Sequence, residues 1–196
     1  MEVLLERAEA EIIVKKSRFI AIAIPCTSLD DIKALIKKIR EENPEATHVV
    51  HAAVIGNEGT LFSSSDDREP KNTAGRPALE VLKGSHITNI LVCIIRYFGG
   101  TLLGTGGLVK AYGDSVKELL KVVHTEKLIE RVEFSMQISY EFYELIKRLL
   151  TEVEASDLKE EFTSGIQIKG KIPKDKRDYF NSRFNSITMG RSILNF

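Results

Sequence analysis

Six apolar residues in succession, Ile90 to Ile95 (ILVCII), lead into Arg96 and then into a stretch carrying Gly99, Gly100, Gly104, Gly106 and Gly107. A continuous apolar run of this length reads as a strand buried on both faces, which needs other layers above and below it. Such a strand delivers Arg96 and Tyr97 to its carboxyl end, where ligands gather in α/β layers. A chain that only had to turn into a helix would need one or two glycines there. Several residues without Cβ let backbone N–H groups approach a ligand, and a helix N-terminus adds about half a positive charge at the same place. The pattern therefore predicts an anion-binding entry to a helix over about Leu108 to Val123. Leu108, Val109, Tyr112, Val116 and Leu119 would form its apolar face.

Named nucleotide motifs do not fit the glycines. Aligned to G-x-x-x-x-G-K-[ST], Gly99 and Gly104 are followed by Thr105 and Gly106, so the phosphate lysine is missing; a G-x-G-x-x-G begun at Gly104 ends on Val109. Arg96 offers a planar fork suited to phosphate or carboxylate, and could equally pair with Asp66, Asp67 or Glu69 to fasten two loops. Thr73-Ala74-Gly75-Arg76-Pro77 reads as a second helix entry, Thr73 capping it and Gly75 permitting close approach, and the helix is closed by Gly84. The anion-binding candidates are thus Thr73, Gly75, Arg76, Arg96, Tyr97, Gly99, Gly100, Gly104, Gly106 and Gly107, with Lys110 extending a cationic rim.

The loop Ser65-Asp66-Asp67-Arg68-Glu69-Pro70 concentrates carboxylates but lacks the spacing of a calcium loop. His48 and His51 lie in a predicted strand, Thr47 to Ile55, which points them to opposite faces, so they do not share a metal. No metal and no cofactor are expected. His48 with Asp66 and Glu69 would be the catalytic set of an alternative reading, a hydrolase of phosphorylated or peptide substrates, although no G-x-S-x-G elbow supplies a nucleophile.

Lys plus Arg and Asp plus Glu each number 28 in 196 residues, so no global basic field draws a polyanion and any anion site must be local. Cys26 and Cys93 sit in apolar runs and read as buried small hydrophobes in a reducing compartment. The start, MEVLLERAEAEI, is acidic and amphipathic, not a signal peptide, and no apolar run approaches a membrane span, so a cytoplasmic location is expected.

Along the chain, two strands over 9–24 precede a helix capped by Thr27 or Ser28, with Asp30 and Asp31 in its first turn, that stops at Asn43-Pro44. A hairpin over 47–64 follows. From Arg131 the order restarts as βαββαβ, the pattern of a ferredoxin-like split βαβ sandwich, giving domains over 1–125 and 131–196 and an α+β chain overall. Lys169, Lys171, Lys174, Lys176, Arg177 and Arg183 cluster around its last helix, as a solvated face would.

Lys16-Ser17-Arg18-Phe19-Ile20, Ala46-Thr47-His48, Ser65-Asp66-Asp67 with Glu69-Pro70, Thr73 to Pro77, Arg96 to Gly100 and Leu103 to Leu108, in this order, resemble the YigZ/IMPACT family over essentially the full chain. The resemblance implies an N-terminal α/β sandwich similar to domain IV of elongation factor G and to the second domain of a small-subunit ribosomal protein. It also implies a C-terminal domain like the ferredoxin-like domains of that factor. Eukaryotic relatives act in translational control through an additional domain not recognisable in these residues. The chain departs from the family where Arg68 and Asn72 replace usual glycines and where Val49 and Val50 follow His48. The resulting expectation is a non-enzymatic, translation-associated protein whose partner is RNA or the ribosome, with no membrane. A protein-interaction module is a further alternative, and nothing in the sequence sets the oligomeric state.

Overall fold

The computed structural model describes residues 1–196, which divide into two compact units, Met1–Leu128 and Ile129–Phe196. The first unit is built on a five-stranded sheet of β2 (Ala8–Val14), β3 (Ser17–Pro25), β7 (Ile90–Tyr97), β4 (His48–Ile55) and β5 (Leu61–Ser65), in that spatial order. The apolar run is its central strand, and Ile90 to Arg96 are all buried. Alternation decides what each face meets. Phe19, Ala21, Val50, Ala52, Val92 and Ile94 pack under α2 (Gly75–Gly84) and α3 (Gly104–Leu120), while Ile20, Ile22, Val49, Leu91, Cys93 and Ile95 pack under α1 (Ile32–Glu42). Each fully buried aliphatic side chain is worth roughly 1.5–3 kcal/mol.

Every pairing in this sheet is antiparallel. The carboxyl end of the central strand is therefore not the ligand-gathering edge of a parallel layer. What antiparallel order does instead is bring unlike strand ends together: β7 ends where β3 and β4 begin, Arg18 facing Tyr97 and His48 facing Arg96.

A second, small sheet went unread in the sequence: β1 (Glu2–Leu4) lies between β6 (Ile87–Thr88), parallel, and β8 (Thr125–Lys127), antiparallel. Strands of two or three residues carry no period. Because β8 belongs to this sheet, the first unit extends past 125 to Leu128.

Helix starts differ from expectation. Asp30 and Asp31 lie in a turn before α1, held by the Ser28 hydroxyl accepting from the Asp30 amide, and neither Thr27 nor Ser28 caps the helix itself. Asn43 closes it, its side-chain amide donating to the Ile39 carbonyl. Gly84 lies within α2, which ends at Ser85 before His86 turns left-handed (φ +60°). Helix α3 begins at Gly104, four residues before the expected Leu108, and Val109 is exposed on it.

The second unit runs β9 (Arg131–Ile138), α4 (Tyr143–Glu152), β10 (Ser156–Phe162), β11 (Ile166–Pro173), α5 (Arg177–Thr188) and β12 (Ile193–Asn195). Its antiparallel sheet has the order β10-β11-β9-β12. Phe134, Met136 and Ile138 face α4 and α5 around Phe180 and Phe184. Half of the basic cluster is neutralised: Lys171, Lys174 and Lys176 pair with Asp157, Glu130 and Glu154.

Candidate functional site

At the end of the first unit's sheet where β7 finishes, the Ser65-to-Thr73 loop, the segment from Phe98 to Leu103 and the start of α3 meet over the His48–Arg96 pair. They enclose a cleft of about 450 Å³, lined by Pro70, Phe98, Leu102, Leu103 and Leu108 with His48, Glu69 and Arg96 among them. A larger depression of about 830 Å³ lies on the second unit's sheet, beside Ser135, Lys159 and Lys169. It contains no buried polar side chain, and we regard the smaller cleft as the better candidate because buried polar groups converge there.

Glu69 is the hub of that convergence. Its Oε1 accepts from Arg96 Nη1 (2.6 Å) and from the Tyr112 hydroxyl (2.8 Å), and lies 3.7 Å from His48 Nε2. Arg96 is thereby spent on the loop-fastening pair that its sequence context allowed. Its guanidinium lies over the Phe19 and Phe98 rings, 5.4 and 5.7 Å from their centroids, and its Nε is buried with no partner. At 5% exposure it is not an open anion receptor. Tyr112 was assigned only to an apolar helix face. Its ring does pack edge-on against Phe19, but its hydroxyl completes the network, and burial followed by the Glu69 charge holds the phenol well above its ordinary pKa. A buried tyrosine in place of phenylalanine is the signal that could have found it, since its hydroxyl requires a partner.

The alternative catalytic set does not assemble. Asp66 Oδ2 accepts the Asn72 amide, and Oδ1 accepts those of Ala74 and Gly75, so Asp66 caps α2 from a distance and is saturated. Thr73, expected to cap, donates its hydroxyl to the Pro70 carbonyl. Asp67 is also committed, to the Val49 amide and to Arg40. Only His48 and Glu69 remain together. No three His, Cys, Asp or Glu side chains are placed to hold a metal.

His48 Nδ1 lies 2.8 Å from the Asp67 carbonyl, which only accepts, so Nδ1 carries a proton and Nε2 is the nitrogen turned toward Glu69. His51 lies on the α1 face near Ser63, and burial lowers its pKa. Tyr97 also points to the α1 side, donating to Asn43 Oδ1, and is therefore removed from the cleft. Cys93 is shut in, its thiol pushed up to about 12 by burial.

Two of the predicted ligand-contacting glycines serve packing. A Cβ on Gly75 would stand 2.7 Å from the Ser65 backbone, and one on Gly99 2.0 Å from the carbonyl carbon of Lys16. Gly100 and Gly104 have left-handed φ, and Gly107 is close to Leu103. Gly106 has open space around it and a right-handed backbone. The bare entry is accordingly narrower than expected: the exposed first turn of α3 at Gly104, Thr105 and Gly106, with no side-chain cap and no acidic residue.

Around this end stand Lys15, Lys16, Arg68, Lys71, Arg76 and Lys110, all exposed and none in an ion pair, whereas Asp66, Asp67 and Glu69 are all consumed internally. Arg76 occupies the first turn of α2, where the helix dipole disfavours a cation.

The sequence profile described as the Impact N-terminal domain matches residues 15–120. The chain is 36% identical to an IMPACT family member of Haemophilus influenzae over 92% of its own length and 89% of that protein. It is 33% identical to the IMPACT family member YigZ of Escherichia coli, over 90% and 88%. A crystal structure of a hypothetical protein, 31% identical, superimposes with a TM-score of 0.73 and covers 98% of this chain and 95% of the other.

Proposed function

Because the chain belongs to the IMPACT family, we propose that it is a cytoplasmic, translation-associated, non-enzymatic protein that binds RNA phosphate at the loop end of its first unit. The translational setting is taken from the family's eukaryotic members. No helix is long and apolar enough to cross a membrane. We read the first unit as the elongation factor G domain IV type and the second as ferredoxin-like. The β10-β11-β9-β12 order, with its two helices on one face, supports the second assignment.

One observation carries the binding assignment: at this end the acids are used up inside the fold while the cations are left free. Arg76, Lys110 and their neighbours thus project a local positive field from a neutral chain, and the uncapped amides of Gly104 to Gly106 point outward with them. A stability role would place an acid at the start of α3 as Asp66 serves α2, and the first turn of α3 contains none.

The test is a salt titration of binding to structured and single-stranded RNA by wild type and by Arg76→Ala/Lys110→Ala, both exposed positions. The double variant is expected to flatten the slope of log K against log salt by about 0.7–0.9 per lost contact. No RNA binding at low salt, or the same slope in both proteins, rejects the assignment.

A further inference from the structure

We propose that the cleft beside α3 takes one unpaired nucleobase of the bound RNA, with guanine preferred; the proposal rests on the RNA-phosphate reading above and names what that site selects. Glu69 is buried, and its Oε1 is filled by Arg96 and Tyr112, yet its Oε2 accepts no hydrogen bond. The only buried side-chain nitrogen or oxygen lacking a partner is Arg96 Nε, so Oε2 is open to the cleft. His48 lines the cleft beside it, its Nε2 without a hydrogen bond. The cleft floor therefore offers a carboxylate acceptor, fixed in place by the ion pair and the tyrosine. Its walls are apolar, and Phe98 and Leu102 stand exposed at the mouth.

A ligand that fits has a largely apolar body with hydrogen-bond donors, and no acceptor, on the edge that meets Glu69. It must also carry a negative charge that can reach the α3 amides, because Gly104 and Thr105 line the same cleft. A volume of about 450 Å³ falls within the roughly 300–1,000 Å³ of small-ligand sites. Among the bases, guanine alone presents adjacent N1–H and N2–H donors. Uracil places carbonyl oxygens beside its single N–H, and adenine and cytosine each set a ring acceptor next to the amino group, facing the Glu69 carboxylate. Recognition of a splayed base by an aromatic ring and its Watson–Crick edge requires a single strand or loop, not a duplex. Phe98 supplies that ring.

The experiment measures binding of the full chain to labelled oligouridine eight-mers whose central residue is guanine, inosine, adenine, cytosine or uracil, each over a salt series. Guanine is expected to bind about tenfold more tightly than inosine, which lacks the N2 amine, and Phe98→Ala, at an exposed position, to weaken both alike by loss of the stack. Glu69→Gln should abolish the guanine–inosine difference. The comparison of bases on wild type stands without any variant. Equal affinity for all five oligomers, with a normal salt slope, overturns the base cleft and leaves phosphate binding intact. No binding to any oligomer at low salt removes both.

Discussion

Arg68 and Asn72 stand at φ +69° and +62°, in the left-handed region that favours glycine. The backbone of this loop is bent so that the Asp66 carboxylate can reach the Asn72, Ala74 and Gly75 amides, and the bend is retained without the residue best suited to it. A left-handed side chain costs about 1–2 kcal/mol, offset by the roughly 0.5–1 kcal/mol that glycine adds to unfolded-state entropy. Arg68→Gly is therefore expected to stabilise by about 0.5–1 kcal/mol, raising Tm by about 1–3 °C, and Asn72→Gly by less. Unchanged or lowered melting temperatures would show that the loop carries no such strain. Arg96 responds in the opposite direction: Arg96→Ala leaves Glu69 buried and unpaired, and is expected to cost about 3–5 kcal/mol, read by urea unfolding. A loss below about 1 kcal/mol would mean that solvent already screens the pair. The sequence limited the partners of Arg96 to three acids, because one strand end faces one loop. Choosing among them depended on which carboxylates the loop's own amides consume, which no spacing reveals.

Helix α3 departs furthest from its local sequence pattern. Glycine is a poor helix former, so the pattern predicts a loop as far as Leu108, yet the chain is helical from Gly104. Packing of Leu108, Ala111 and Tyr112 on the sheet outweighs the local propensity. The long elements, β3, β4, β7 and α1, are legible because an apolar, β-branched run or a 3.6-residue period extends through them. The strands β1, β6 and β8 are not, because they exist only through one another. Gly106 separates stability from binding. With open space at its Cβ, Gly106→Ala is expected to stabilise the helix by up to about 1 kcal/mol while weakening RNA binding about threefold, as the methyl group crowds the approach to the first-turn amides. A rise in melting temperature with unchanged RNA affinity would show that the bare backbone at this position is not used by a ligand.

On the scale of the whole molecule, neutrality and RNA binding are compatible only if charge is segregated locally, and the two units differ in this respect. The first gathers free cations at one end of its sheet. In the second, Lys171, Lys174 and Lys176 are paired, but Lys159 and Lys169 face each other directly across β10 and β11 without a carboxylate partner, an arrangement that costs stability. Each unit has its own core, so the contributions can be separated. The fragment Met1–Leu128 is expected to melt cooperatively and to bind RNA with a salt slope within about one of the full chain, since its phosphate contacts are its own. The fragment Ile129–Phe196 has few residues with which to build a core and should be the less stable of the two. Should the first fragment lose about two or more from the slope, Lys159 and Lys169 are phosphate contacts as well. In that case the unfavourable pairing of the two lysines would be explained by an anion lying between them.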